Sequence, residues 1–158
     1  MTNEDAPRST QIATNKKARF EYEILERVEA GIVLKGTEVK SLRNKKVSLS
    51  DAYARVQGGE LYLVNMDIAP YEQRGYADHE PKRTRKLLLH KRQIGKLVGK
   101  LTEKGLTLIP LGVHFNRRGI AKVSLGLCRG KQTYDKRRKI KDRDVKRDIA
   151  RAMKGGRR

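Results

Sequence analysis

Residues 106–128 read LTLIPLGVHFNRRGIAKVSLGLC. Two apolar runs flank Asn116-Arg117-Arg118-Gly119, the pattern of two strands joined by a hairpin-type loop. In the second run Val123, Leu125 and Leu127 fall on one side, and Lys122, Ser124, Gly126 and Cys128 on the other. Alternation of period two is the signature of a strand with one face covered. Strands, not helices, therefore organise the chain.

Working outward, HKRQIGKLVGKLTEKG (90–105) changes the period. Ile94, Leu97, Val98 and Leu101 make one helical stripe that Lys91, Arg92, Lys96, Lys100 and Lys104 avoid. Gly105 is a natural stop. ARVQGGELYLVNMDI predicts a hairpin about Gly58-Gly59, with Tyr62, Val64, Met66 and Ile68 alternating after it. ARFEYEI predicts a strand with Phe20, Tyr22 and Ile24 on one face, and 30–34 a second extended piece. KGTEVKSLR predicts a short helix with Thr37 as N-cap. Residues 70–86, holding Pro70, Gly75 and Pro81, read as a long exposed loop. The expected class is mainly β (α+β), a small OB-like antiparallel β-barrel with two or three flanking helices. A plain α+β sandwich is the alternative.

The chain has 158 residues, enough for one domain with its own core. Apolar content is 37%, with no Trp and two Phe, so the core is aliphatic. Thirty-eight Lys and Arg face 18 Asp and Glu, a net charge of +20 that calls for a polyanionic partner. Nucleic acid comes first and an anionic membrane surface second. No run approaches the ~20 apolar residues of a membrane span. The polar N-terminus lacks an apolar signal region, and the single Cys128 forms no internal disulfide, which suits a reducing cytoplasm. Residues 1–14 read as a flexible arm and 15–130 as the barrel. From 131 to 158 charge density jumps, and the segment reads as a basic C-terminal tail.

Enzyme chemistry finds no foothold. A two-histidine ribonuclease needs two imidazoles at one phosphate, and nothing in the spacing of His79, His90 and His114 unites them. No phosphate-cradling Gly-rich loop is present, and Cys128 reads as a buried strand-end thiol. No cofactor or metal site is implied. The basic clusters NKKAR (15–19), KRTRK (82–86), HKR (90–92), NRR (116–118), RGK (129–131) and DKRRKIK (135–141) are scattered. Glu21, Glu23, Glu26 and Glu29 gather elsewhere, suggesting one electropositive face. With little aromatic material to stack unpaired bases, recognition of a folded RNA by shape is preferred over single-strand or DNA readout.

In the tail, Val145, Ile149 and Met153 recur every fourth residue. Asp142 precedes Lys146 by four positions, and Asp144 precedes Arg147 by three, each weakly helix-supporting at ~0.2–0.5 kcal/mol. A lone helix of this length is marginal, so the tail is expected to be disordered when free and helical against a polyanion.

NKKARFEY, EAGIVLKGTEVKSLR, LSDAY, HEPKRTRKLLLHKRQI, LTLIPL, KVSLGLCRGKQTYDKR and IKDRDVKRDIARAMK occur in this order. Together they resemble the SmpB family of bacterial SsrA-binding proteins over about 15–154. The resemblance implies an OB-like, non-enzymatic adaptor that binds the tRNA-like domain of transfer-messenger RNA (tmRNA). It also implies delivery of alanyl-tmRNA to stalled ribosomes with elongation factor Tu, in trans-translation. It assigns the tmRNA surface to Asn15, Lys16, Lys17, Tyr22, Glu29, Arg85, Lys86, Leu88, Lys122, Arg129 and Lys131. A carboxylate repels phosphate, so Glu29 would meet a base or sugar group; its plainer reading is a solvated side chain, and that of Leu88 is core. The ribosomal decoding site would be met by Tyr134, Asp135, Lys136 and Arg137, with Ile149 and Met153 on the helix beyond. Family members often carry His where Tyr134 stands, so stacking rather than titration would serve there. Gln132 stands where some have Lys. A structural ribosomal protein, or a metal-free ribonuclease on His79 or His114, is the rival reading.

Overall fold

The computed structural model of the chain describes residues 10–71, 79–102, 105–131 and 143–152. The strands are β1 Thr10–Thr14, β2 Tyr22–Ile32, β3 Val47–Ser48, β4 Tyr53–Gln57, β5 Glu60–Val64, β6 Asp67–Ile68, β7 Arg85–Leu88, β8 Leu106–Phe115 and β9 Ala121–Gly130. The helices are α1 Lys16–Glu21, α2 Gly36–Arg43 and α3 Lys91–Leu101, with a further helix over 143–152. Among the described residues every strand pairing is antiparallel. The seven-stranded sheet runs β1-β8-β4-β5-β7-β2-β9, and β8 also pairs β9, so the sheet closes on itself. The long β8 shares one edge between two partners: Leu108 meets Ala54 of β4, and Gly112 to Phe115 meet β1. A small OB-like barrel results, as the alternation in β8 and β9 predicts.

Val123, Leu125 and Leu127 point into the barrel with Leu61, Leu63, Leu87, Leu108 and Val113. Ile94 and Leu97 bring the stripe of α3 onto this core. On the outer side Cys128 is buried with Ala18, Ile109 and Leu111 under α1, where its Sγ–H donates to the Gly126 carbonyl at 3.3 Å. Burial pushes the Cys128 thiol pKa up, as expected of an inert structural cysteine. Gly126 is needed there: a Cβ would lie 2.9 Å from the Leu111 side chain.

Six local expectations change. ARFEYEI is not one strand, because Asn15 Oδ1 accepts from Ala18 N–H at 3.1 Å and starts α1. The strand begins at Tyr22 and runs unbroken to Ile32, so 30–34 is no separate piece. Thr37 is not the N-cap of α2: its hydroxyl lies 2.9 Å from His79 Nδ1, while the Glu38 carboxylate accepts from the Lys35 N–H at 2.8 Å. In β5 it is Leu61 and Leu63 that face inward; Asn65, at φ 63°, then turns the chain so that Met66 and Ile68 are buried too. The stretch 70–86 is not simply an exposed loop, since His79 is buried and Arg85 opens β7. The arm boundary at 14 also moves, because Thr10–Thr14 pair with β8.

A buried ionic knot ties α2 to β7. Arg85 and Glu38, both 0% exposed, are joined through Arg85 Nε and Glu38 Oε2. Arg83 Nη2 donates to Glu38 Oε1 at 2.6 Å. Arg85 also donates to the carbonyls of Met66 at 2.7 Å, Arg83 at 2.9 Å and Pro81 at 3.1 Å. Burial raises the Glu38 pKa, but the Arg83 hydrogen bond, the Lys35 N–H and the Arg85 charge outweigh it, leaving the carboxyl below its ordinary range.

Candidate RNA interface

The site is built on the outer face of β7, β2, β9 and β8. Inward residues Ala30 and Val123 are buried, so their neighbours Glu29, Gly31, Lys122 and Ser124 turn outward. Gly31 pairs with Leu88 on one side and with Lys122 on the other; Lys122 in turn pairs with His114. Packed beside this face, α3 is capped by His90, whose N–H donates to Gln93 Oε1 at 3.2 Å. A shallow groove of about 390 Å³ forms, lined by Glu29, Gly31, Leu88, Leu89, His90, Gln93 and Lys122.

Three residues far apart in sequence thus meet in one groove, each with different chemistry. Leu88 is half exposed, Lys122 supplies a cation, and Glu29 supplies an acceptor. Glu29 Oε2 lies 3.6 Å from His114 Nε2. The spacing of the histidines hides that His90 lines this groove and His114 reaches Glu29. His79 stays apart, its Nε2 3.0 Å from the Ile68 carbonyl.

A second cluster lies at the other end of β2. From Tyr22 to Gly31 the strand covers about 30 Å at ~3.3 Å per residue. Lys16 and Lys17 project from α1, with Lys17 Nζ 3.5 Å from Asp51 Oδ1. Tyr22 lines a cleft of about 520 Å³ with Lys17, Tyr53 and Arg55. Arg129 is exposed and pairs across the ladder with Glu23. Lys131 is tied to α1: its N–H donates to the Glu21 carbonyl at 3.0 Å and its Nζ to that of Arg19 at 3.1 Å. Lys86, on β7, approaches Glu60 at 3.8 Å.

Two expected contact residues serve the frame instead. Arg85 is wholly buried and spends its guanidinium on Glu38 and three carbonyls, so no donor faces a docked phosphate. Asn15 is 4% exposed; its Nδ2 donates to the carbonyls of Leu49 at 3.1 Å and Pro110 at 2.9 Å while its Oδ1 caps α1. Both position neighbours that are exposed, Lys86 for one and Lys16 and Lys17 for the other. Of the clustered glutamates, Glu26 is paired with Lys100, and Glu29 lies 3.6 Å from His114. Tyr134, Asp135, Lys136, Arg137 and Met153 lie outside the described residues. Ile149 is on the helix over 143–152, whose residues are all exposed. The sequence pattern does not assign His114 or Gln93 to this face; the register and the seat of α3 bring them there.

Comparison with known proteins gives a consistent answer. A family model described as SmpB protein matches residues 12–155. An SsrA-binding protein of Desulforamulus reducens is 58% identical over 143 residues, 90% of this chain and 89% of that protein. Another, of Thermus thermophilus, is 57% identical over 138 residues, 87% of this chain and 96% of that protein. A solved chain from work described as "tmRNA-SmpB: a journey to the center of the bacterial ribosome" superimposes with a TM-score of 0.66 at 59% identity, over 77% of this chain and 85% of that one. With the family model spanning nearly the whole chain and relatives this similar along their own length, the chain belongs to the SmpB protein family.

Proposed function

We propose that the protein is a cytoplasmic RNA-binding adaptor of trans-translation and not an enzyme. In this reading the outer barrel face grips the tRNA-like domain of tmRNA and helps deliver alanyl-tmRNA to stalled ribosomes. Elongation factor Tu is met only through the alanyl-tmRNA. The tail engages the vacant decoding site through Tyr134, Asp135, Lys136 and Arg137, and Ile149 and Met153 lie along the helix that follows in the mRNA channel.

The observation that carries the reading is the meeting of Glu29, Leu88 and Lys122 in one groove, in a chain more than half identical to SsrA-binding proteins. A cation, an apolar surface and a carboxylate acceptor together suit a folded RNA with an exposed nucleotide. Phosphate alone would be better served without the carboxylate, and a long duplex without the leucine. Purified protein titrated with tmRNA and with a tRNA of matched size tests this. Clear preference for tmRNA is expected; equal affinity overturns the adaptor role. A structural ribosomal protein would instead be found on all translating ribosomes at full stoichiometry.

A further inference from the structure

Helix α1 is only six residues long, so most of its backbone groups have no partner within it. Both ends are secured from elsewhere in the chain. At the start, the Asn15 N–H donates to the Leu111 carbonyl at 2.8 Å, and its side chain adds the cap on Ala18 and the bonds to Leu49 and Pro110. In the middle, Ala18 is 2% exposed and packs with Ile109, Leu111 and Cys128. At the end, the Tyr22 N–H donates to the Ala18 carbonyl. Lys131 takes two more of the last carbonyls. Its N–H donates to that of Glu21 at 3.0 Å, and its Nζ to that of Arg19 at 3.1 Å, across 112 residues of sequence. A cation there also meets the negative end of the helix dipole.

Lys131 is where the barrel hands over to the tail. β9 ends at Gly130, which pairs with Tyr22, and both Arg129 and Gly130 are exposed. A Cβ at Gly130 would have nothing within 4 Å, so the chain has open space beside it there. The two bonds of Lys131 hold it instead. They fasten the last barrel residue to a helix that is itself anchored in the core. The same helix carries the exposed Lys16 and Lys17. These two cations and the root of the tail therefore share one frame.

We propose that Lys131 is a positioning residue for the tail: it clasps the tail's root to the end of α1 and so fixes where the tail leaves the barrel. The proposal rests on the adaptor reading and gives Lys131 a task in the free protein, before any RNA is bound. A tail with a fixed origin loses less freedom on reaching its second contact than one that swivels. Spin labels at Gln57→Cys and Gln132→Cys report the distance distribution across the root in the free, full-length protein, with Cys128 buried and unlabelled. Amide exchange reports on α1. Tagging is measured with protein and tmRNA preassembled at saturation, so that affinity does not enter. Lys131→Met is expected to broaden the distribution about twofold, speed amide exchange at Tyr22 and lower tagging about three- to tenfold. Lys131→Arg, which keeps a donor for the carbonyl, should stay near wild type in all three. A Gly-Gly insertion between Lys131 and Gln132 should leave α1 exchange unchanged and still lower tagging, which loss of α1 stability alone would not do. An unbroadened distribution in Lys131→Met overturns the clasp. Unchanged tagging in Lys131→Met or in the insertion overturns the need for a fixed root. A tmRNA salt slope that falls by about 0.7–0.9 in Lys131→Met, with no broadening, makes Lys131 a phosphate contact instead. If the wild-type protein supports no tagging, the adaptor reading itself fails, while the distance distribution, recorded without RNA, still decides the clasp.

Discussion

Glu38 braces the candidate interface without lining its groove. Its carboxylate receives Arg83, Arg85 and the Lys35 N–H, and so binds the start of α2 to β7, the strand that carries Lys86 and Leu88. Removing one partner of a buried pair strands the other charge. Glu38→Gln is therefore expected to lose about 3–5 kcal/mol of stability at pH 7, read by urea denaturation. The pH dependence has a definite sign. The folded-state pKa lies below the ordinary ~4.3, so the stabilisation is complete above the unfolded value and is lost as pH falls through the folded one. The gap between wild type and Glu38→Gln should narrow below about pH 4; a gap constant from pH 7 to 3 would mean that the carboxylate charge is not what Glu38 contributes. Lys122 presents the opposite case, an outward cation with no core role. Lys122→Ala should leave the melting point unchanged, weaken tmRNA binding and lower the salt slope by about 0.7–0.9. An unchanged slope would remove Lys122 from the phosphate contacts.

At the scale of elements, legibility depended on whether a local pattern was sufficient. The β4–β5 hairpin was readable because Gly58 and Gly59 supply φ of 59° and 76°, which other residues resist. The α3 stripe and the β9 alternation were readable for the same reason, since one face of each meets the core. α1 was not, because Phe20, Tyr22 and Ile24 mimic a strand while the helix depends on a distant event. Asn15 must reach the carbonyls of Leu49 and Pro110, 34 and 95 residues away. That dependence makes a prediction. Asn15→Ala should cost more than an ordinary cap, which contributes about 1 kcal/mol, because two buried carbonyls lose their donor. Denaturation is expected to show a loss of roughly 2 kcal/mol or more, whereas loss within a few tenths of a kcal/mol would mean that water replaces the amide. Leu88 and Lys122 could be named from family strings, but their meeting at Gly31 follows from three-strand register, which local periodicity does not contain.

Over the whole molecule, charge is divided between the barrel and the tail. The tail beyond Lys131 carries twelve Lys or Arg against four Asp, leaving a net charge of +12 on the rest of the chain. The barrel therefore keeps the larger share of the net charge and all of the groove. The division can be cut after Lys131, which is hydrogen-bonded to the Glu21 and Arg19 carbonyls of α1 and ends the described stretch that carries the barrel. A chain ending at Lys131 should fold with an unchanged melting point. It should lose part of its non-specific affinity for RNA and part of its salt slope, since those follow the number of cations at phosphates. Its preference for tmRNA over tRNA should survive, since Glu29, Leu88 and Lys122 remain in place. Tagging of chains on stalled ribosomes should disappear, because the proposed decoding-site residues and the helix over 143–152 are gone. Measured together, these separate the possible failures. Loss of tmRNA preference would make the tail part of the grip, and tagging that persists would mean that the tail does not work in the decoding site. Only retained preference with lost tagging fits a barrel that selects the RNA and a tail that acts on the ribosome.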